Sequence, residues 1–184
     1  MRKSREEAAQ TREAIVQAAA DLIRSQGLAE ASVANVMAAA GLTHGGFYRH
    51  FRNRDQLLCE AVALAGASSV RAIAHNLEAG GLAQAAAIYL SAAHRDAVAP
   101  ICPFAAAGSE LARASAETRN AATETLKALF STLAAANPTP GIEARGDAIA
   151  RLATMIGALT LSRIVSDTAL SDEILHEAQA RTAA

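Results

Sequence analysis

Apolar residues recur at helical spacing along almost the whole chain. Between Ala8 and Gln26, Ile15, Val16, Ala19, Ala20, Leu22 and Ile23 make a broad stripe, and Gly27 ends it. A second stretch sets Val33, Val36, Met37 and Ala40 on one face, with Ser32 at the expected N-cap and Gly41 as a left-handed stop. Leu42 then returns the chain to the core. Thr43 can cap a third helix reaching His50, whose inward residue is Phe47, with Phe51 four positions on. Gly45 and Gly46 weaken that helix by about 1 kcal/mol each relative to alanine, a cost that makes sense where the backbone must approach another molecule closely.

Beyond it, a long helix from about Arg54 to Leu77 carries Leu57, Leu58, Val62, Leu64, Ala65, Val70, Ile73 and Leu77 over much of its circumference, so it needs two packing partners. Ala79-Gly80-Gly81 should break it. Further helices are predicted over Leu82 to Val98, Phe104 to Ala114, and Ala116 to Ala136, the last with Leu126, Leu129, Phe130 and Leu133 inward. Pro100 and Pro103 exclude a continuous helix between the first two, and Asn137-Pro138-Thr139-Pro140-Gly141 reads as a loop. The final pair is placed at about Glu143 to Ser166 and Ser171 to Arg181. In the first of these, Ile149, Leu152, Ile156, Leu159 and Arg163 form one stripe, and Ala153, Gly157, Ala158 and Leu161 a face small enough for close helix approach. The pattern predicts an all-α protein of about nine helices.

Composition agrees, with 52% hydrophobic and only 3% aromatic residues. The formal net charge of −1 is not that of a protein that coats nucleic acid, but its distribution is uneven. Residues 1–55 hold eight Lys/Arg against six Asp/Glu, and the remainder nine against twelve. A basic head, residues 1–53, on an acidic body, residues 54–184, suits a small DNA reader joined to something that is not one. Two short helices around a glycine-containing turn, Ser32 to His50, are the helix-turn-helix arrangement, which lays its second helix in a major groove. The basic residues 1–7 could reach neighbouring phosphates.

The two cysteines, Cys59 and Cys102, lie far apart and lack metal-ligand spacing, which fits reduced thiols in a cytoplasm. No secretory leader pattern opens the chain, and no apolar run is expected to reach the roughly 18 residues that span a bilayer. Nucleotide-binding, hydrolase-elbow and zinc-protease motifs are absent from the sequence, so neither catalysis nor a metal or cofactor is expected.

Ala40-Gly41, Tyr48, Phe51, the basic Arg54 and Leu57, in that order, resemble the DNA-binding signature of the tetracycline-repressor-like (TetR-type, AcrR-like) bacterial regulators. The resemblance covers about the first third of the chain, with one departure: most relatives have Lys where this chain has Arg54. It implies a phosphate contact through the Tyr48 hydroxyl and another from Arg54. With these, Ser32, Thr43, His44, Gly45, Arg49 and His50 make up the expected DNA-facing set, His44 and Arg49 being the candidates for base edges. It further implies a homodimer formed through the two C-terminal helices, an inverted-repeat operator in double-stranded DNA, and an inducer bound between body helices that changes the separation of the heads. Tyr89, His94, Cys102, Phe104, Phe130 and Met155 are the candidate pocket wall. Cys102, beside prolines in an irregular segment, is a candidate for reaction with electrophiles or oxidants. The alternative is a helical ligand-binding protein or enzyme whose head does not bind DNA.

Overall fold

A computed structural model describes residues 5–96, 102–137 and 141–183. Among these the chain is helical, without strands. Residues 1–4 of the basic arm, Pro100, and Pro138 to Pro140 of the predicted loop lie outside the described residues.

Helix α1 (Arg5–Gln26) turns Ile15, Ala19, Ala20 and Ile23 fully inward, as its stripe requires. α2 (Val33–Ala39) begins where the Ser32 side chain accepts the Asn35 N–H at 3.2 Å. Next comes a 3-10 helix, His44–Arg49, and then α3 (Arg54–Tyr89), whose N-cap Asn53 accepts from the Gln56 N–H at 2.9 Å. The head closes over Phe47, which is fully buried and stacked on Phe51 at 5.4 Å between ring centres. Arg12 of α1 lies 4.6 Å over the outer face of Phe51, pairs with Glu60 at 2.5 Å and so bolts α1 to α3.

α3 serves two cores. Leu57, Leu58, Ala61 and Val62 complete the head, whereas Ala65, Gly66 and Ile73 pack in the body, where α3 runs along α6 (Ala116–Ala135). The predicted glycine break is present as a sharp kink: Gly80 and Gly81 leave helical geometry, and Gly81 has φ +67°. By length and mean hydropathy, 1.5 over its best 18 residues, α3 would also suffice to cross a membrane, contrary to the sequence expectation. Its packing between α1 and α6 accounts for that apolarity within this fold.

The predicted helix Leu82 to Val98 is interrupted. α3 ends at Leu90, and Ser91 starts the short α4 (Ala92–Asp96) by accepting the His94 N–H at 3.1 Å. Pro103 opens α5 (Pro103–Leu111), whose preceding residue Cys102 is extended at φ −53°, ψ 126°, as a residue before proline must be. α7 (Ile142–Ile164) packs on α6 and on α8 (Thr168–Thr182). α8 starts three residues earlier than expected because the Asp167 carboxylate caps the Ala169 and Leu170 N–H groups. The buried line of α7 is Ala144, Ala148, Leu152, Met155, Leu159 and Ser162; Ile149 and Arg163, placed by spacing on one stripe with Leu152 and Leu159, are exposed.

One apolar cluster runs from Ile15 to Ala178. Head and body are joined by charged side chains as well. Glu110 of α5 accepts the N–H groups of Leu28 (2.8 Å) and Ala29 (2.9 Å), while Arg54 donates to the carbonyls of Leu28 (2.7 Å) and Ala31 (3.1 Å). The turn after α1 is thus held on both sides.

A side chain at Gly66 would overlap Thr125 of α6. We expect Gly66→Ala to lower stability by about 1–3 kcal/mol in urea unfolding, with Thr125→Ala in the same chain recovering part of the loss.

Candidate nucleic-acid interface and body cavity

The 3-10 helix is short because two glycines open it and because its bonds run three residues back, Gly46 N–H to Thr43 at 3.0 Å and His50 N–H to Phe47 at 2.9 Å. Phe47 pins it from beneath. Thr43, His44, Gly45, Tyr48 and Arg49 are then left on one exposed surface. Tyr48 is 69% exposed, its ring set edge-on against Phe47 at 5.2 Å, so its hydroxyl is carried outward on a rigid base. Thr43 sits at the N-cap with extended backbone but makes no side-chain cap bond, which leaves its hydroxyl outward as well. His50 is half-buried at the end of the helix, its carbonyl accepting from Arg12 at 3.4 Å.

Two residues of the expected DNA-facing set have internal duties. Ser32 is engaged as the cap of α2. Arg54, expected on a phosphate, donates in this structure to the carbonyls of Leu28 and Ala31 and ties the base of α3 to the preceding turn. The fork of its guanidinium reaches two carbonyls at once.

The body contains a cavity of about 260 Å³. Ser68, Ser69, Ile73 and Asn76 face it from α3 before the kink, and Ile88 and Tyr89 after it. His94 enters from α4, Cys102 from the start of α5, and Arg24 from α1. Of the six residues proposed for a pocket wall, Tyr89, His94 and Cys102 meet here. The other three do not: Phe104 and Met155 are buried in the core, and Phe130 lies beneath the Arg145 guanidinium at 5.9 Å. Arg24, the basic member that sequence reasoning missed, stands four residues after buried Ala20 on the inward face of α1. That spacing was the available signal.

Burial dominates the electrostatics of this cavity. It raises Tyr89 well above the ordinary phenol value, with the neighbouring Cys102 adding to the effect. It also pushes the Cys102 thiol up, only partly offset by the Tyr89 hydroxyl, the N–H groups of Phe104 and Ala105, and Ser69. Among the described residues the Tyr89 hydroxyl meets no partner but that thiol, a weak one. His94 is held below its ordinary value by burial and then by nearby Arg163, against the opposing pull of the Tyr89 carbonyl, 2.6 Å from its Nδ1. That carbonyl can only accept, so Nδ1 carries the proton and the ring is neutral near pH 7.

Comparison with known proteins bears on both regions. Residues 15–61 match the family model described as bacterial regulatory proteins, tetR family. Over 59 residues the chain is 37% identical to the HTH-type transcriptional regulator AcrR of Shigella flexneri, covering 32% of this chain and 27% of that one. It is 36% identical over 58 residues to the regulator TtgR of Pseudomonas putida, covering 32% and 28%. These matches therefore span little more than a quarter of the curated relatives' length. Solved structures are similar over nearly the whole chain. A TetR transcriptional regulator from Chloroflexus aurantiacus superposes with a TM-score of 0.75 at 26% identity, covering 97% and 94% of the two chains. The reduced form of Escherichia coli NemR gives 0.76 at 19% identity, covering 94% and 95%.

A buried thiol with a raised pKa carries little thiolate at neutral pH, contrary to the expectation of a reactive Cys102. In a Cys59→Ser background we expect a thiol reagent at pH 8 to label Cys102 at least about ten-fold more slowly in the folded protein than in urea. Equal rates would place the thiol in reach of solvent.

Proposed function

We propose that this chain, a member of the TetR family of bacterial regulatory proteins by its DNA-binding head, is a transcriptional repressor that grips an inverted-repeat operator as a homodimer and releases it when a small molecule enters the body. The observation that carries this reading is the exposed face of the 3-10 helix. A short element held from below by Phe47 presents Tyr48, Arg49, His44 and a glycine backbone together, all exposed among the described residues. Residues 1–53 act as the reading head and residues 54–184 as the ligand-binding and dimerising body, in the cytoplasm where duplex DNA is available. Tyr48 positions the head on a phosphate, and Arg49 suits a guanine edge.

Dimerisation is supported by α7. Ile142, Ile149, Ala153, Gly157, Leu161 and Ile164 follow one another at helical spacing along its outer side, and Ile142 and Ile164 are 94% and 71% exposed. Leu170 of α8, also exposed, extends the apolar surface. Two copies related by a two-fold axis would bury this stripe against itself, with Gly157 allowing close approach.

Release requires a path from cavity to head, and two elements supply one. α5 begins just after Cys102 in the cavity wall and ends near Glu110, which holds the turn after α1. α1 itself reaches the cavity through Arg24. A ligand that prefers one setting of these helices shifts the heads by its differential affinity for the two settings.

Selection of bound sequences from genomic fragments should enrich one inverted repeat. On that sequence Tyr48→Phe should weaken binding about 10-fold for matched and mismatched sites alike, as expected for loss of a hydrogen bond to a charged group. Arg49→Ala should relax discrimination at one base pair by about 1–3 kcal/mol. No enriched repeat, or no effect of either change, would argue for a ligand-binding protein without operator recognition. Leu161→Asp with Ile164→Asp should convert dimer to monomer in sedimentation and remove operator binding, whereas an intact dimer would place the interface elsewhere.

A further inference from the structure

The kink at Gly80-Gly81 lets both arms of α3 line one cavity. The first arm presents two lines of side chains four residues apart, Ser69 and Ile73 in one, Ser68, Ala72 and Asn76 in the other. The second arm brings Ala85, Ile88 and Tyr89. Ala72 and Ile88 are exposed and mark the mouth.

This wall offers no free charge. No Asp or Glu is among its described residues, and the Arg24 guanidinium is turned to Asp21, 2.5 Å from Nη2 and outside the wall. Burial keeps the Tyr89 phenol and the Cys102 thiol protonated side by side, and the His94 ring is neutral with Nδ1 committed to the Tyr89 carbonyl. Arg163 faces solvent and is not part of the wall. A ligand charged in either sense would be desolvated here without a counter-charge to meet it, which is costly.

The neutral polar groups of the first arm are mostly spent as well. Ser69 donates to the Ala65 carbonyl at 3.3 Å, and Ser68 accepts from Arg71 at 3.1 Å. Asn76 differs. Half-buried on the line of Ser68 and Ala72, its amide has no hydrogen-bond partner among the described residues and is not sealed from solvent, so a small molecule can reach it. That amide can both donate and accept.

We propose that the effector is an uncharged small molecule with an apolar body and a hydroxyl-like end, its body against Ile73, Ala85 and Ile88 and its end on the Asn76 amide. This deepens the reading of the body as a ligand-binding unit and rests on it. At about 260 Å³ the space lies at the small end for ligand sites, which limits the body to a ring or a short chain. Such a ligand ties the arm of α3 before the kink to the arm after it.

The test is calorimetric titration of the full chain with matched series that differ in charge: benzyl alcohol, benzylamine and benzoate; phenylethanol, phenylethylamine and phenylacetate; hexanol, hexylamine and hexanoate. In at least one series the alcohol should bind about ten-fold or more tightly than both charged members. Asn76→Ala should weaken that alcohol severalfold while leaving toluene or ethylbenzene, which lack the polar end, unchanged. The variant is checked for cooperative thermal unfolding, and should it fail to fold, the wild-type series decide the matter. A smaller preference in every series, no binding by any alcohol, or an alcohol affinity untouched by Asn76→Ala overturns the proposal. Operator binding by the ligand-free protein is measured alongside. Its absence with alcohol binding intact refutes the repressor reading alone, and its presence without alcohol binding refutes the effector chemistry alone.

Discussion

The head keeps its position because the peptide groups of one turn are satisfied from both sides by charged residues. Leaving α1, the chain passes through Gly27 at φ +94°, and the next N–H groups belong to no helix. Glu110 takes the N–H groups of Leu28 and Ala29, and Arg54 takes the carbonyls of Leu28 and Ala31. Partly buried peptide groups are costly to leave unmade, and bonds to ionised partners are the stronger kind. Gly27 is needed twice over, for its left-handed backbone and because a Cβ there would stand 2.6 Å from the Glu110 carboxylate.

That clamp makes the helices around it mechanically consequential. α5 carries Glu110 at one end and follows Cys102 of the cavity wall at the other, so a change in the cavity can reach the turn without a flexible intermediary. α3 offers a second rigid route, since the same helix supplies Leu57 and Leu58 to the head and Ala65 and Gly66 to the body. The close approach of Gly66 to Thr125 leaves little room for sliding there. Movement is better accommodated at α1 and α5, which like α3 border both cavity and clamp.

The DNA-facing helix shows how little structure a reading head requires. It is six residues long, and its glycines favour neither α geometry nor length. Its stability comes from Phe47 stacked on Phe51, with the Arg12 guanidinium closing over that pair. An element held by one aromatic anchor can expose all its other side chains, and this leaves Tyr48 and Arg49 available.

Much of this was legible in the residues alone. The stripe of α1, the Ser32 cap, the inward Phe47 and Phe51, the break at Gly80-Gly81 and the all-helical class follow from spacing and backbone preference, which are local properties. The helix-turn-helix signature is local too, so its outward residues Tyr48 and Arg49 could be named beforehand. The internal role of Arg54 was not legible, since its carbonyl partners lie more than twenty residues away and only the folded turn brings them within reach. The same holds for Glu110 and for Arg24, whose meeting with Tyr89 and Cys102 depends on how α1, α3 and α5 converge. The sequence by itself determined which segments are helical and which of their faces are apolar, because periodicity and capping act within a few residues. Only the tertiary structure decided which charges are buried and what they hold, because desolvation and pairing depend on neighbours that the order of residues does not disclose.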